Sequence, residues 1–166
     1  MLVRMRSGPL RSKASSAITW AQPLPSVPIN ASREKVWAFV IDPNQVGQCG
    51  PGVEKIEVID ATHFKAVAKV GIGFISARFN ADMEFAEVEA PDRALIKAHG
   101  QAPGSAVDAT AEMRLSDGPD GTTVMDWKAD VNIAGTLASV GARLIEGTAN
   151  KMIGQTFECM KSKLEA

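Results

Sequence analysis

The stretch that decides the fold is GTLASVGARLIEGTANKMIGQTF, Gly135 to Phe157. Leu137, Val140, Leu144, Ile145, Met152, Ile153 and Phe157 recur at helical spacing and make one apolar stripe. Small residues are threaded through it: Gly141, Ala142, Gly147, Thr148, Ala149 and Gly154. An interior glycine costs a helix about 1 kcal/mol relative to alanine. The spacing predicts one long C-terminal helix of about 28 residues, roughly 40 Å at 1.5 Å per residue. Its glycines then need a reason in whatever packs against it.

Upstream the period changes from helical to two. Between Val53 and Ile133 the chain reads as six strands, starting with VEKIEVI and HFKAVAKVGIGF. In ISARFNADMEFAEVEAP, Ile75, Ala77, Phe79, Ala81, Met83 and Phe85 alternate with Arg78, Asn80, Asp82 and Glu84. RALIKAHG follows, then SAVDATAEMRL and TTVMDWKADVNI with the same alternation. Strict alternation marks antiparallel strands with one wet face. Gly71–Gly73, Ala90–Asp92, Gly100–Gly104 and Asp117–Gly121 supply the hairpin connections. Before them, NASREKVWAFVIDP reads as a helix capped by Asn30 or Ser32 and stopped by Pro43. NQVGQCGPGVE is a short helical turn and a Gly-Pro-Gly loop. ITWAQPLPSVPI, residues 18–29, holds three prolines and fits an edge strand or an extended lead-in. The class is α+β: a curled antiparallel sheet of about seven strands wrapped around the long C-terminal helix.

The inward face of that sheet is mostly alanine between its aromatics: Ala66, Ala68, Ala77, Ala81, Ala94, Ala98, Ala109, Ala111 and Ala129. Facing it, the helix offers Gly141, Thr148 and Ala149. Interiors pack to crystal-like density, so small against small means either very close approach or a space. The space is the expectation carried forward. Its lining from the sheet would be Phe74, Phe79, Met83, Phe85, Met113, Met125 and Trp127. From the helix it would be Leu137, Gly141, Leu144, Ile145, Thr148 and Met152, with the mouth at Pro51, Gly52, Gly71 and Gly73. An apolar pocket with few polar groups is a binding site before it is a reaction centre.

Sequence totals narrow the function. At 166 residues the chain holds one domain, residues 17–166, behind a basic extension over 1–16 expected to lie outside the fold. That extension carries Arg4, Arg6, Arg11 and Lys13 and no acid, leaving the rest at −5 within a net charge of −1. Such a balance has no general attraction to nucleic acid. No apolar run approaches the roughly 18 residues of a membrane span. Cys49 and Cys159 stand far apart with no CxxC pair, so a reduced, cytoplasmic compartment is the default. His63 and His99 read as surface or rim residues. No metal-ligand spacing, nucleophile elbow or dinucleotide loop is present, so no metal, catalytic group or covalent cofactor is expected.

Three motifs carry a resemblance. VIDPNQVGQCGPGVEKIE has a helix that ends at Asp-Pro and leads into a Pro-Gly loop. KVGIGFISARFNADMEF is similar to a Gly-x-x-x-x-x-Arg/Lys-Phe hairpin. GTTVMDWKADVNIAGTLASVGARLIEGTANKMIGQTFECM resembles a closing strand and helix that begins Gly-x-Leu-Ala-x-x-Gly-x-Arg-Leu-Ile. Together, over about residues 28–162, they resemble the CoxG family of carbon monoxide dehydrogenase subunits, within the START-like (SRPBCC) helix-grip superfamily. The family's frequent cysteine after Pro-Gly is Val53 here. The resemblance implies a hydrophobic ligand, a quinone or lipid, held between sheet and helix without catalysis. It also implies partnership with a molybdenum-hydroxylase-type dehydrogenase and peripheral contact with the inner membrane face. The alternatives are a polyketide cyclase or aromatase on the same fold, which needs an acid–base group in the cavity, and a structural interaction subunit with a filled core.

Overall fold

In the computed structural model, backbone is described for residues 5–6 and 17–166 and side chains from Ser26 onward. The expected basic extension, 1–16, lies outside the described residues apart from Met5 and Arg6. The strands are β1 (Met5–Arg6), β2 (Ala17–Ile29), β3 (Val53–Val58), β4 (His63–Ile72), β5 (Ile75–Glu89), β6 (Arg93–Ala102), β7 (Ser105–Asp117) and β8 (Thr123–Gly135). The helices are α1 (Arg33–Val40), α2 (Pro43–Gly47) and α3 (Ala142–Leu164). All strands join one antiparallel sheet in the order β1-β2-β8-β7-β6-β5-β4-β3. Apart from the two-residue β1, this is the expected curled sheet of seven strands with a long C-terminal helix.

Local chemistry accounts for the elements. The prolines of β2 are tolerated because β2 has a full partner on one side only, and its register with β8 shifts between Leu24 and Val27, around Pro25. Ser32 caps α1 by accepting from the Lys35 N–H at 3.3 Å. Asp42 caps α2 through the Asn44 N–H at 3.0 Å, with Pro43 in its first turn, so one Asp-Pro pair ends α1 and starts α2.

The C-terminal helix differs from expectation. It is 23 residues long and begins only after Gly141, while Thr136–Val140 form a separate 3₁₀ turn. Gly141 has φ of +100°, a region that excludes L side chains, and a Cβ there would meet nothing within 4 Å. It is therefore the exposed break between two helical pieces rather than a gap in the packing face. Gly147 and Gly154 are also exposed, and neither faces a neighbour that a Cβ would touch.

Two buried clusters make the core. One gathers Phe64, Phe85, Met113, Met125 and α1 residues Val36, Phe39 and Val40 around Met160 and Leu164 of α3. The other joins Ile72, Phe79, Ile133, Leu137, Ala138 and Ile145 at the opposite end. The middle is not sealed: Ala68, Ala77, Ala81, Ala98, Ala109, Ala111 and Ala129 are only half-buried, and so are Thr148, Ala149, Met152 and Ile153 of α3.

Candidate functional site

The enclosed space lies toward one end of this sandwich, under a wall made by α1, α2 and the turn into β3. It is a cavity of about 220 Å³. The wall contributes Val40 and Ile41, then Pro43, Val46 and Gly47 of α2, then Gly50, Val53 and Ile56. The sheet contributes Phe64 and Ala66 of β4, Met83 and Phe85 of β5, Ala94 and Ile96 of β6, Met113 of β7 and Trp127 of β8. Two small residues, Ala66 and Ala94, sit on the floor, and methionines that adapt to irregular shapes sit beside them.

The wall is tied down at several points. Cys49 and Cys159 form a disulfide, Cα–Cα 5.4 Å, joining the end of α2 to α3. This corrects the expectation of two separate reduced thiols: the fold brings together residues 110 apart in sequence, and the basis for a reduced compartment goes with it. Lys163 Nζ donates to Gln48 Oε1 at 3.0 Å, a second link from α3. The Lys69 N–H donates to the Gly52 carbonyl at 2.9 Å. Gly52 has φ of +79°, and a Cβ on it would collide with the Lys69 carbonyl oxygen, so only glycine allows this approach.

The residues expected to line the space are divided by the fold. Met83, Phe85, Met113 and Trp127 come together on the cavity. Met125 is fully buried behind it, in the same core cluster. Phe79, Leu137 and Ile145 belong to the other cluster. Thr148 and Met152 are half-buried and do not line the cavity, Gly141 is exposed, and Leu144 is 42% exposed. Phe74 is 96% exposed at the tip of the β4–β5 hairpin. Pro51 and Gly52 lie between the wall residues Gly50 and Val53 without lining the cavity, whereas Gly71 and Gly73 lie at that hairpin, with Gly73 beside Leu144. The missed residues are those of the wall. α2 has five residues, too few to show a helical period, and its apolar face emerges only once α1 and β3 are placed.

The cavity is almost without polar chemistry. Among the described residues, four buried side-chain atoms lack a hydrogen-bond partner: Arg33 Nε, Arg93 Nε, Trp127 Nε1 and Asn150 Oδ1. The two arginines are engaged through other nitrogens, with Asp92 at 2.8 Å and Glu87 at 2.9 Å. Of the remaining two, only Trp127 borders the cavity. Its ring packs on Phe157 of α3, centroids 5.8 Å apart.

A wider valley of about 530 Å³ crosses the outer face of the sheet, open to solvent and lined by His63, Asp82, Glu84, Lys97, His99, Asp108 and Asp130 among others. Both histidines sit there, on the wet face. His99 Nδ1 is 2.5 Å from Asp108 Oδ1 and its Nε2 is 2.9 Å from the Gln101 amide nitrogen. Beside His63, the Asp60 carboxyl is held down to about 2 by the Thr62 backbone N–H, then by the His63 side chain and backbone N–H. These are ordinary pairings of an exposed polar face, and no group there combines with the enclosed cavity.

The cavity lies against the curled sheet behind the Asp-Pro and Pro-Gly segment, and no residue of α3 lines it, unlike the sheet-to-long-helix space that was expected. The family model of the carbon monoxide dehydrogenase subunit CoxG matches residues 26–165. The chain belongs to the CoxG family. Comparison with curated proteins gave no match. Among solved structures, a conserved protein from Geobacillus kaustophilus superposes with a TM-score of 0.79 at 22% identity, over 84% of this chain and 92% of that one. The Zhui aromatase/cyclase from Streptomyces sp. R1128 has a TM-score of 0.64 at 12% identity, over 89% and 94%. A START superfamily protein from Mycobacterium smegmatis has a TM-score of 0.61 at 13% identity, over 89% and 97%. These likenesses establish the START-like helix-grip fold of this CoxG-family chain; function is a matter of the site.

Proposed function

We propose that this CoxG-family chain is a non-enzymatic carrier that holds a lipophilic small molecule, a quinone or a lipid, in the cavity beneath the α1–α2 wall. The observation that carries this reading is the partly enclosed 220 Å³ space itself, lined by apolar side chains and one indole. Family membership supports association with a molybdenum-hydroxylase-type dehydrogenase, the cargo serving as a lipophilic electron acceptor. Peripheral contact at a membrane face belongs to the same proposal, while the Cys49–Cys159 disulfide speaks against the reduced cytoplasm expected from the sequence. No helix of the described residues is long and apolar enough to cross a membrane. The exposed Phe74 and Leu144, which meet the same β4–β5 hairpin, are the apolar groups available for such contact.

A cyclase reading requires a positioned proton donor or acceptor in the cavity. The described lining side chains offer no carboxyl, imidazole, amine, hydroxyl or thiol, which favours carriage over catalysis. A filled-core structural subunit is opposed by the cavity.

The test is Ala66→Leu, which projects a larger apolar side chain into the space from β4. Nile red binding, followed by its fluorescence in apolar surroundings, is expected in the wild type and at least tenfold weaker in the variant. Overpacking is expected to cost no more than about 1–3 kcal/mol of stability. Equal binding by both proteins would place the probe elsewhere and remove the cavity from the account.

A further inference from the structure

The wall over the cavity is pinned at its two ends and in its middle by bonds of different kinds. At one end the Asp42 carboxylate caps α2 through the Asn44 N–H at 3.0 Å. At the other the Lys69 N–H holds the Gly52 carbonyl at 2.9 Å. Between them none of the five residues of α2 is buried, and Pro43 and Val46, which line the cavity, are half-buried. Two links tie this middle stretch to α3: the Cys49–Cys159 disulfide and an exposed hydrogen bond from Lys163 to Gln48. A segment with so few buried side chains opens locally at low cost unless something covalent holds it. The crosslink is also placed for exchange chemistry. Cys159 is half-buried and Cys49 buried, so Cys159 is the half more open to an incoming thiolate. Lys163 stands one turn beyond Cys159 on α3 and reaches the residue before Cys49. A neighbouring ammonium favours the thiolate that leaves.

We propose that the Cys49–Cys159 disulfide is a redox latch on the cavity: oxidised, it holds the α2 wall down; reduced, it lets the wall lift and the cargo exchange. The inference concerns regulation of the carrier site and rests on that reading. The reductant is a dithiol. One of its thiolates attacks the Cys159 sulfur, and the Cys49 sulfur leaves as a thiolate and takes up a proton. The second thiol, as thiolate, then attacks the mixed disulfide, Cys159 is released and protonated, and the dithiol departs as its own disulfide. The two electrons and two protons gained by the cysteine pair are those the dithiol loses. Cys49 is also packed in the core cluster, so reduction removes one of two restraints and turns a fixed wall into one that opens transiently.

The probe is N-phenyl-1-naphthylamine, a neutral apolar dye whose emission is sensitised by nearby tryptophan, and Trp127 borders the cavity. The cavity signal is the sensitised emission that Ala66→Leu lacks. The dye-loaded full chain is mixed with excess phosphatidylcholine vesicles, and the decay of that signal gives the release rate with and without dithiothreitol. Release is expected to be at least about tenfold faster after reduction, and faster than global unfolding of the same reduced protein. Cys49→Ala/Cys159→Ala is expected to release at the reduced rate whether or not dithiothreitol is present. Bridging the two reduced thiols with a single methylene carbon, which dithiothreitol does not cleave, is expected to restore slow release. Equal release in both redox states, a rise that only matches global unfolding, or a reduced chain that does not fold would overturn the latch and leave the cavity as a site. If the wild type gives no cavity signal, the carrier reading falls and the latch with it.

Discussion

Reducing the Cys49–Cys159 disulfide perturbs the cavity wall without removing a heavy atom. The bond joins residues 110 apart in sequence, and the loop it closes spans everything from the wall through six strands to α3. In the chain-entropy picture, a crosslink around a loop of about 100 residues stabilises by about 4.7 kcal/mol, and removal of native disulfides typically costs about 2–5 kcal/mol. Cys49 is 4% exposed and packed in the core cluster, so contacts other than the bond also hold it. The expected loss is therefore about 3–5 kcal/mol. At about 2–4 °C per kcal/mol for a chain of this size, the melting temperature should fall by about 6–20 °C. Urea unfolding with and without a phosphine reductant measures it. The m-value should rise on reduction, because the freed unfolded chain exposes more surface. A Cys49→Ala/Cys159→Ala protein should resemble the reduced wild type and ignore the reductant. A loss below about 1 kcal/mol, or two thiols titrating in the native unreduced protein, would refute the tie between wall and helix.

Other consequences are smaller. Gly147→Ala and Gly154→Ala place a Cβ in open space on the outside of α3, so each should raise stability by about 1 kcal/mol in denaturant melts. Loss of stability would mean that these glycines have a packing role. Phe74→Ser should leave unfolding stability within about 0.5 kcal/mol, as for exposed positions generally, yet lower co-sedimentation with lipid vesicles. Unchanged vesicle binding would remove the β4–β5 hairpin tip from the membrane proposal.

The sheet was legible because its chemistry is local. Ile75, Ala77, Phe79 against Arg78, Asn80, Asp82 can be read without knowing any partner strand, and the same holds for β7 and β8. The start of α3 was not. Leu137 and Val140 continue the apolar spacing of the true helix, so the 3₁₀ turn and α3 read as one piece. Only the positive φ of Gly141 separates them, and a glycine letter does not carry its dihedral angle. The alanines foretold a loosely filled interior, and four of the expected lining residues do meet at the cavity. Its position was misjudged because the wall joins the end of α1, the five-residue α2 and the start of β3, whose apolar residues Val40, Ile41, Val46 and Val53 meet only once these elements are placed together. The disulfide depends wholly on tertiary folding across 110 residues.

The central claim is that the cavity carries a lipophilic molecule, and native mass spectrometry of protein purified gently from its own cells tests it most directly. The expected result is a mass above that of the bare chain, lost on organic extraction, and no such adduct on Ala66→Leu. Bare chain mass alone for the wild type, under conditions that retain an added apolar ligand on a known carrier, would contradict it.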